Sequence, residues 1–196
     1  MVKNWSKGTQ PLVSLQTNAA QNASTREGLL SLVLKKGPDN EASRNFLLRV
    51  VQPGLSGLMD GSVSTLAPIF ATAFATHQPF TAFLVGMASA TGAGISMAFS
   101  EALSDDGELT GRGSPILRGG ITGGMTFLGG SLHTLPFLVP DLHLALVVAY
   151  IVVAVELVLI AGIRYRFFGT KWWLSMLQVV GGGALVFVAA LIFGNA

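Results

Sequence analysis

Long apolar runs separated by short polar connections dominate the sequence after residue 50. A transmembrane helix needs about 20 predominantly apolar residues to cross a hydrocarbon core about 30 Å thick. Four runs have this length and contain at most one Asp, Glu, Lys or Arg each: 80–99, 119–139, 142–163 and 172–193. Each run therefore predicts one membrane-spanning helix.

A further span is predicted before these four, around the stretch "GLMDGSVSTLAPIF" at residues 57–70. Residues 62–76 alone would rise only about 22 Å as a helix, which is too short for the hydrocarbon core. Extending the helix back to residue 50 gives a sufficient length and places Asp60 inside the membrane. The pattern thus predicts an all-α, polytopic membrane protein with five transmembrane helices.

The composition agrees with a membrane protein and excludes several other classes. Charged residues make up 11% of the 196 residues, against roughly 25% in an average soluble domain. The chain has no cysteine, which excludes disulfides, thiolate metal sites and cysteine nucleophiles. Residues 1–28 lack an apolar core, so we expect no cleavable signal sequence.

The basic residues predict the orientation of the spans. Lys and Arg occur at positions 3, 7, 26, 35, 36, 44, 49, 112, 118, 164, 166 and 171. With five spans, all of these positions fall on one side, which the positive-inside rule assigns to the cytoplasm. The N-terminus is expected inside and the short C-terminal tail outside. Because the basic residues are explained by topology, no nucleic-acid partner is expected.

Residues 1–43 are rich in Ser, Asn, Gln and Lys and predict a flexible cytoplasmic tail, followed by a membrane domain at 44–196. Within the tail, "REGLLSLVLKK" fits either a short amphipathic helix on the membrane surface or a weakly structured segment, and both interpretations stay open.

Glycines recur at four-residue spacing in the third predicted span, at 119/123 and 120/124, and cluster at 181–183 in the fifth. Small residues at this spacing let helices approach closely in lipid. They predict either a dimer seam or close packing inside one subunit.

Ionisable side chains inside a membrane are costly unless they face a polar cavity or a partner, so each is a functional candidate. Asp60 is followed by the hydroxyl residues Ser62 and Ser64. Pro68 has no N–H to donate to the carbonyl of Ser64. A carboxylate, hydroxyls and a free carbonyl on one helix are typical of a cation path. The alternative, an interfacial cap by Asp60, conflicts with the length argument.

A second candidate set lies on the second span, where Met97, Glu101, Asp105 and Glu108 follow at i, i+4, i+8 and i+11 along one face. Carboxylates near a helix C-terminus oppose the helix dipole, so a compensating cation is expected. Carboxylate and thioether ligands together favour a borderline divalent ion, Fe(II) first and Mn(II) next. The predicted metal ligands are Asp60, Met97 and Glu101, with a cytoplasmic entry at Asp105, Asp106 and Glu108. A solvated acidic collar is the alternative for the entry residues.

Four further residues are candidates for proton or metal handling. Glu156, midway along the fourth span, is either a proton relay or the ion-pair partner of Arg164 or Arg166. His77, His133 and His143 are predicted at outer helix ends, where they would release metal, sense pH or anchor the helices at the interface.

Enzyme hypotheses have little support. The chain contains no Glu-x-x-His, so a ferritin-like di-iron site is not expected, and no Walker-type phosphate loop, so an ATP-driven pump is not expected. A secondary transporter driven by an ion gradient, most simply protons, is the remaining class.

Two stretches are specific in combination, "GLMDGSVSTLAPIFATAFATH" and "GAGISMAFSEALSDDGELTGRG". Over residues 46–196 the chain resembles the vacuolar iron transporter family, in particular its bacterial branch, where the membrane module follows a rubrerythrin-like domain. The resemblance implies a homodimer of five-helix subunits in the bacterial inner membrane. It also implies export of Fe(II) or Mn(II) from the cytoplasm in exchange for protons, without a tightly bound cofactor. The family's helix-1 aspartate falls on Asp60 and its helix-2 methionine on Met97.

Two departures from the family pattern matter. Many members have a glutamate where this chain has Ser89, and Glu101 is the substitute we expect; Ser64 and Ser89 remain candidate pathway residues. A 43-residue tail is too short for a rubrerythrin-like domain, so metal capture is either missing or supplied by a separate ferritin-like protein. The alternatives to a metal exporter are therefore a non-transporting membrane anchor for such a partner and a transporter for another small cation.

Overall fold

A computed structural model describes residues 41–108 and 110–194, and within these ranges all regular secondary structure is helical. The α-helices are α1 (Glu41–Phe46), α2 (Gln52–Ser64), α3 (Leu66–Thr76), α4 (Pro79–Ala102), α5 (Pro115–Leu132), α6 (Leu142–Phe168) and α7 (Trp172–Gly194). A π-helical segment, Leu47–Val51, joins α1 to α2, and a 3-10 turn, Leu135–Leu138, lies between α5 and α6. The all-α prediction is confirmed.

The first predicted span is confirmed in its extended form. Helices α1 to α3 and the π-helical segment make up one helical stretch of 36 residues, Glu41–Thr76, with Asp60 near its middle. Residues 41–43 of the predicted tail belong to α1. Residues 1–40, which hold the rest of the tail and its amphipathic candidate, lie outside the described residues.

Four of the five long helical segments are long and apolar enough to cross a membrane: Glu41–Thr76, Pro79–Ala102, Leu142–Phe168 and Trp172–Gly194. The fifth, α5, differs in composition, because its 18 residues include three pairs of glycines and Arg118. It packs against both α2 and α4. A helix that is covered by neighbours on two sides does not need an apolar surface there, which is consistent with its glycines and its lower hydropathy.

Glycines let α5 touch its two neighbours backbone to backbone. A Cβ on Gly57 or Gly61 of α2 would collide with the carbonyl oxygens of Thr122 and Thr126 on α5. On the other side of α5, a Cβ on Gly123 would meet the carbonyl oxygen of Gly94 on α4 at 2.5 Å. Part of the glycine pattern is thus used for packing within one subunit.

The remaining glycines of the pattern face outward. Gly120 and Gly124 have no heavy atom within 4 Å of the position that a Cβ would take, and the same holds for Gly181 and Gly182 on α7. These positions fit the alternative interpretation, a surface available to a second chain, but nothing in the single chain covers them.

The first span is interrupted at Thr65, between α2 and α3. Pro68 lacks the N–H that would bond to the carbonyl of Ser64, which prevents a regular helix there. The hydroxyl of Thr65 donates to the carbonyl oxygen of Gly61 at 2.8 Å, and that of Thr72 donates to the carbonyl of Pro68 at 2.6 Å. Threonine side chains therefore satisfy backbone oxygens around the break, as required in hydrocarbon.

Large apolar side chains are exposed on the outer faces of the bundle, and several polar side chains are buried inside it. Large apolar residues such as Phe99, Leu185 and Phe193 are exposed on α4 and α7, whereas His133 and Glu156 are buried. Such an arrangement is expected when the surrounding solvent is lipid, because polar groups must then find partners inside the bundle.

We predict that replacing Gly57 or Gly61 by alanine destabilises the protein by more than about 2 kcal/mol, because the added methyl group meets backbone that must shift. Gly120→Ala and Gly124→Ala serve as matched controls and should be neutral or stabilising by about 0.5–1 kcal/mol. Unfolding free energies in mixed detergent micelles measure the difference. Equal losses in both pairs would contradict the backbone contact of α2 with α5.

Candidate metal site

Asp60 and Met97, from two different helices, line the same cavity of about 410 Å³. This cavity, called the crevice below, is bounded by α2, α4, α6 and α7. Its lining residues are Ser56, Met59, Asp60, Val63, Met97, Ile160, Gln178, Val179 and Gly182. The predicted proximity of the helix-1 carboxylate and the helix-2 thioether is therefore a feature of the structure.

The helical repeat explains how α2 presents its part of the crevice. Ser56, Met59, Asp60 and Val63 follow at i, i+3, i+4 and i+7 and so share one face. The glycines of the same helix pack against α5, which leaves this face turned away from α5. Asp60 is partly exposed to the crevice and makes no hydrogen bond or ion pair within the described part of the chain.

The crevice offers a mixed set of donor atoms. Asp60 contributes a carboxylate, Met59 and Met97 contribute thioethers, and Ser56 contributes a hydroxyl. Gln178 already accepts a hydrogen bond at its Oε1 from Nη2 of Arg164, at 2.8 Å. Within residues 41–108 and 110–194, no group of three or more His, Asp or Glu side chains is arranged to hold one metal ion. A single carboxylate beside thioether and neutral donors suits a weakly bound ion that is borderline between hard and soft.

Glu101 does not line the crevice with Met97, although both were predicted on one ligand face. Its Oε1 accepts hydrogen bonds from Arg112 Nη2 at 2.7 Å and from Arg118 Nε at 2.9 Å. Asp105 binds the same two arginines, at 3.1 Å through Oδ2 and at 3.0 Å through Oδ1. The four residues form one ion-pair network in the loop between α4 and α5.

The counter-charge expected for these carboxylates is thus supplied by arginines of the chain itself. Arg118 is fully buried, and its Nη1 also donates to the carbonyl oxygen of Gly113 at 3.2 Å. Asp106 and Glu108 are exposed and belong to no ion pair in the described residues; Asp106 Oδ1 accepts from the Glu108 backbone N–H at 3.0 Å. The predicted entry role of these acids stays a prediction.

The network also sets the charge state of Asp105. Burial raises the pKa of this carboxyl, but the hydrogen bonds and positive charge of Arg118, with smaller contributions from Arg112 and the Gly107 N–H, outweigh burial. The net result is that the pKa of Asp105 lies below its ordinary value of 3.8. Asp105 is therefore ionised at any physiological pH.

A separate polar cluster lies inside the helix bundle. His133 is fully buried at the C-terminal end of α5; its Nδ1 lies 2.9 Å from Oε2 of Glu156 and its Nε2 lies 2.8 Å from Oγ1 of Thr65. His133 does follow the end of a helix, as predicted, but its side chain is buried inside the bundle and so is no interfacial anchor. Of the two alternatives for Glu156, the ion pair with Arg164 is not present: Glu156 pairs with His133, and Arg164 bonds to Gln178.

The other predicted site residues do not line the crevice. His77 ends α3 in the left-handed conformation, with φ of 54°, and is exposed, as is His143 near the start of α6. Ser64 is exposed and Ser89 is half-buried, and neither lines the crevice.

Sequence reasoning missed several residues that the structure brings into these sites. Arg112 and Arg118 were assigned to topology alone, although Arg118 directly precedes an uncharged span and so had to be paired to enter it. Met59 adjoins Asp60, but its thioether was not considered as a donor. No local pattern pointed to Thr65 or Gln178.

Comparison with known families supplies an independent finding. The model of the VIT family matches residues 105–195, which include α5, α6, α7 and most of the loop before α5. Over these 91 of its 196 residues, a little under half of its length, the chain is similar to the VIT family. No curated protein and no solved structure gives a significant match. Together with four helices that are long and apolar enough to cross a membrane, this similarity supports a multi-pass membrane protein. Asp60 and Met97 precede the matched residues.

We predict that Arg118→Met destabilises the protein by about 3 kcal/mol, because it removes the buried partner of two carboxylates. Arg112→Met is the matched control; its side chain is 20% exposed, and it should cost at most about 1 kcal/mol. Unfolding in mixed micelles measures both variants. A larger loss for Arg112→Met would mean that the buried guanidinium is not the centre of the network.

The lowered pKa of Asp105 predicts a specific pH dependence. A carboxyl whose pKa is lower in the folded than in the unfolded state adds stability above the unfolded value and loses it as the pH falls through the folded value. Wild type should therefore be more stable than Asp105→Asn at pH 7, and the difference should decline only below about pH 3.8. A difference that already declined near pH 6 would require another titrating group.

Proposed function

We propose that this protein, which is similar to the VIT family over residues 105–195, is a proton-coupled exporter of a divalent metal ion, Fe(II) or Mn(II), from the cytoplasm of a bacterium. The observation that carries the proposal is the crevice, which the carboxylate of Asp60 and the thioether of Met97 line from two different helices. The family match supports membrane metal transport in general. The metal, the direction and the proton coupling are proposed in addition.

The donor set of the crevice supports transport rather than permanent binding. A transported ion must bind strongly enough to enter and weakly enough to leave. A single carboxylate supplies charge, while Met59, Met97 and Ser56 supply soft or neutral donors without adding further charge. This balance favours Fe(II) and Mn(II) over Mg(II), which prefers a shell of hard oxygen donors.

The position of Asp60 also argues against the alternative of a passive anchor. An ionisable side chain near the middle of an apolar helix is costly, and a protein that only anchors a partner has no use for it. Because Asp60 has no ion-pair partner in the described chain, a cation in the crevice is the group that would compensate its charge.

The distribution of basic residues supports the proposed direction. Arg112 and Arg118 form the ion pairs next to the loop between α4 and α5. In the predicted five-span topology, Arg164, Arg166 and Lys171 lie on the same side of the membrane as this loop. We assign that side to the cytoplasm by the positive-inside rule. We further propose the homodimer that the family resemblance implies, with the open glycine face of α5 as a candidate contact.

Transport by the purified chain in liposomes tests the proposal. Mn(II) and Fe(II) uptake should be measured with an internal metal-sensitive dye, with Zn(II) as a third ion and a pH dye recording protons. Asp60→Asn should lower metal flux at least tenfold, because it removes the only carboxylate of the crevice. Met97→Leu, which keeps the volume but removes the thioether, should lower flux and weaken the preference for Fe(II) over harder ions.

Two matched controls separate function from folding. Met125→Leu changes a methionine in a different, apolar cavity next to α5, and Glu41→Gln neutralises an exposed carboxylate on α1. Both should transport like wild type. Normal flux by a folded Asp60→Asn protein, or no flux by wild type for any of the three metals, would refute the exporter.

A further inference from the structure

The buried polar cluster of Thr65, His133 and Glu156 links three helical segments without contributing to the crevice. Its residues come from the break between α2 and α3, from the end of α5 and from the middle of α6. Glu156 is 3% exposed and the other two residues are fully buried. A cluster of this kind in the middle of an apolar bundle needs either a structural or a functional explanation.

The hydrogen bonds determine where the protons of this cluster lie. Thr65 has a single hydroxyl proton, and its Oγ1 donates that proton to the carbonyl oxygen of Gly61 at 2.8 Å. With its proton on Gly61, Oγ1 is assigned as the acceptor of the bond from His133, and in this assignment Nε2 of His133 carries a hydrogen. Only the other ring nitrogen, Nδ1, is left to face Glu156.

The contact of 2.9 Å between His133 Nδ1 and Glu156 Oε2 requires one further proton. Either Nδ1 carries it and donates to a carboxylate, or Oε2 carries it and donates to a neutral imidazole. Both arrangements have the same proton count, and the pair is neutral overall in each. Without this proton, a lone pair of Nδ1 would face a charged carboxylate oxygen and the contact would be repulsive.

The second oxygen of Glu156 favours the arrangement with a neutral acid. Oε1 is buried and has no hydrogen-bond partner among the described residues. An unpaired carbonyl oxygen of a neutral acid costs much less in a low dielectric than an unpaired oxygen of a carboxylate. The pair is thus best described as glutamic acid donating to neutral imidazole.

We propose that the His133–Glu156 pair is the proton-binding site of the exchange, spatially separate from the metal crevice, and that the structure represents its proton-loaded form. This inference rests on the proton-coupled export proposed above. In the exchange step the O–H bond of Glu156 breaks, the proton passes to water, and the electron pair stays on Oε2 as a carboxylate. No oxidant, reductant or other reactant is involved.

Loss of the proton would act directly on the interrupted first span. A carboxylate at Glu156 no longer donates to His133, which frees the imidazole to turn away from Thr65. Thr65 is the residue at the break, five residues after Asp60, or about 7.5 Å of helical rise. The proton on Glu156 is therefore linked to the position of the segment that carries the proposed metal ligand.

The other titratable groups around the cluster are accounted for. Arg118 on α5 is bonded to Glu101 and Asp105, and Arg164 on α6 is bonded to Gln178. Asp60 on α2 faces the crevice. Helices α3 and α7 contain no acidic or basic residue. The remaining titratable side chains of α6 are His143, Tyr150, Tyr165 and Arg166.

Coupling stoichiometry in liposomes tests the proposal with Mn(II) as the transported ion. Glu156→Gln keeps the shape and can still donate to Nδ1, but it cannot release a proton. We expect Mn(II) flux down its own gradient within about threefold of wild type. Protons moved per Mn(II) should fall at least tenfold, and a pH gradient should no longer drive Mn(II) uptake. Glu41→Gln should keep wild-type coupling.

The outcomes separate this inference from the function on which it rests. Metal flux without protons in wild type would refute the coupling itself. Normal coupling in both wild type and Glu156→Gln would refute only the proton site. A merely structural role of Glu156 would lower stability and total flux but leave the number of protons per Mn(II) unchanged, which also refutes the site.

A second measurement needs no variant and covers the case in which Glu156→Gln does not fold. The chain has three histidines, so ¹⁵N-labelled histidine side chains can be resolved by nuclear magnetic resonance. His133 should carry hydrogen on Nε2, with Nδ1 accepting a hydrogen bond. Saturating Zn(II), as a diamagnetic probe, should shift the His133 signals. Hydrogen on Nδ1 alone, or no response to Zn(II), would overturn the proposal.

Discussion

The backbone contact of α5 with α2 and α4 is the constraint on which the rest of the structure depends. Glycines at the contact leave no space for a side chain, so the three helices have one possible separation and register. In lipid no hydrophobic force holds helices together, and close packing of this kind takes its place. The contact also explains why α5, which α2 and α4 cover on two sides, can be less apolar than the other four long helical segments.

Because α5 is held this tightly, the polar residues at its two ends must be satisfied inside the protein. At one end, Arg118 is surrounded by the carboxylates of Glu101 and Asp105 and by backbone carbonyls. At the other end, His133 bonds to Thr65 and Glu156. Hydrogen bonds therefore link both ends of α5 to other helices. Along its middle, glycines bring the backbone of α5 into contact with α2 and α4. The crevice lies on the opposite face of α2, where no such contact closes the space.

Local patterns were sufficient to predict the helices but not the partners of polar residues. Apolar length predicted all five long helical segments, and the length argument alone placed Asp60 in the middle of the first. The sequence could not show that Glu101 bonds to arginines rather than facing the crevice, since that depends on where the loop after α4 returns. Likewise, the pairing of His133 with Glu156 joins residues from different helices, and the helical repeat of one segment carries no information about it.

The separation of the two sites has a physical advantage for an exchanger. If Asp60 bound both the metal ion and the proton, the two would compete directly for one carboxylate. That carboxylate alone would then set the number of protons exchanged per metal ion. With the proton on the His133–Glu156 pair, the pair is neutral when loaded and carries one negative charge when empty. A buried negative charge is unfavourable in lipid unless a cation is nearby, so the empty pair and a divalent ion in the crevice stabilise each other electrostatically. In the proposed exchange, Thr65, located at the break of the helix that carries Asp60, is the residue through which this electrostatic preference would change the backbone position.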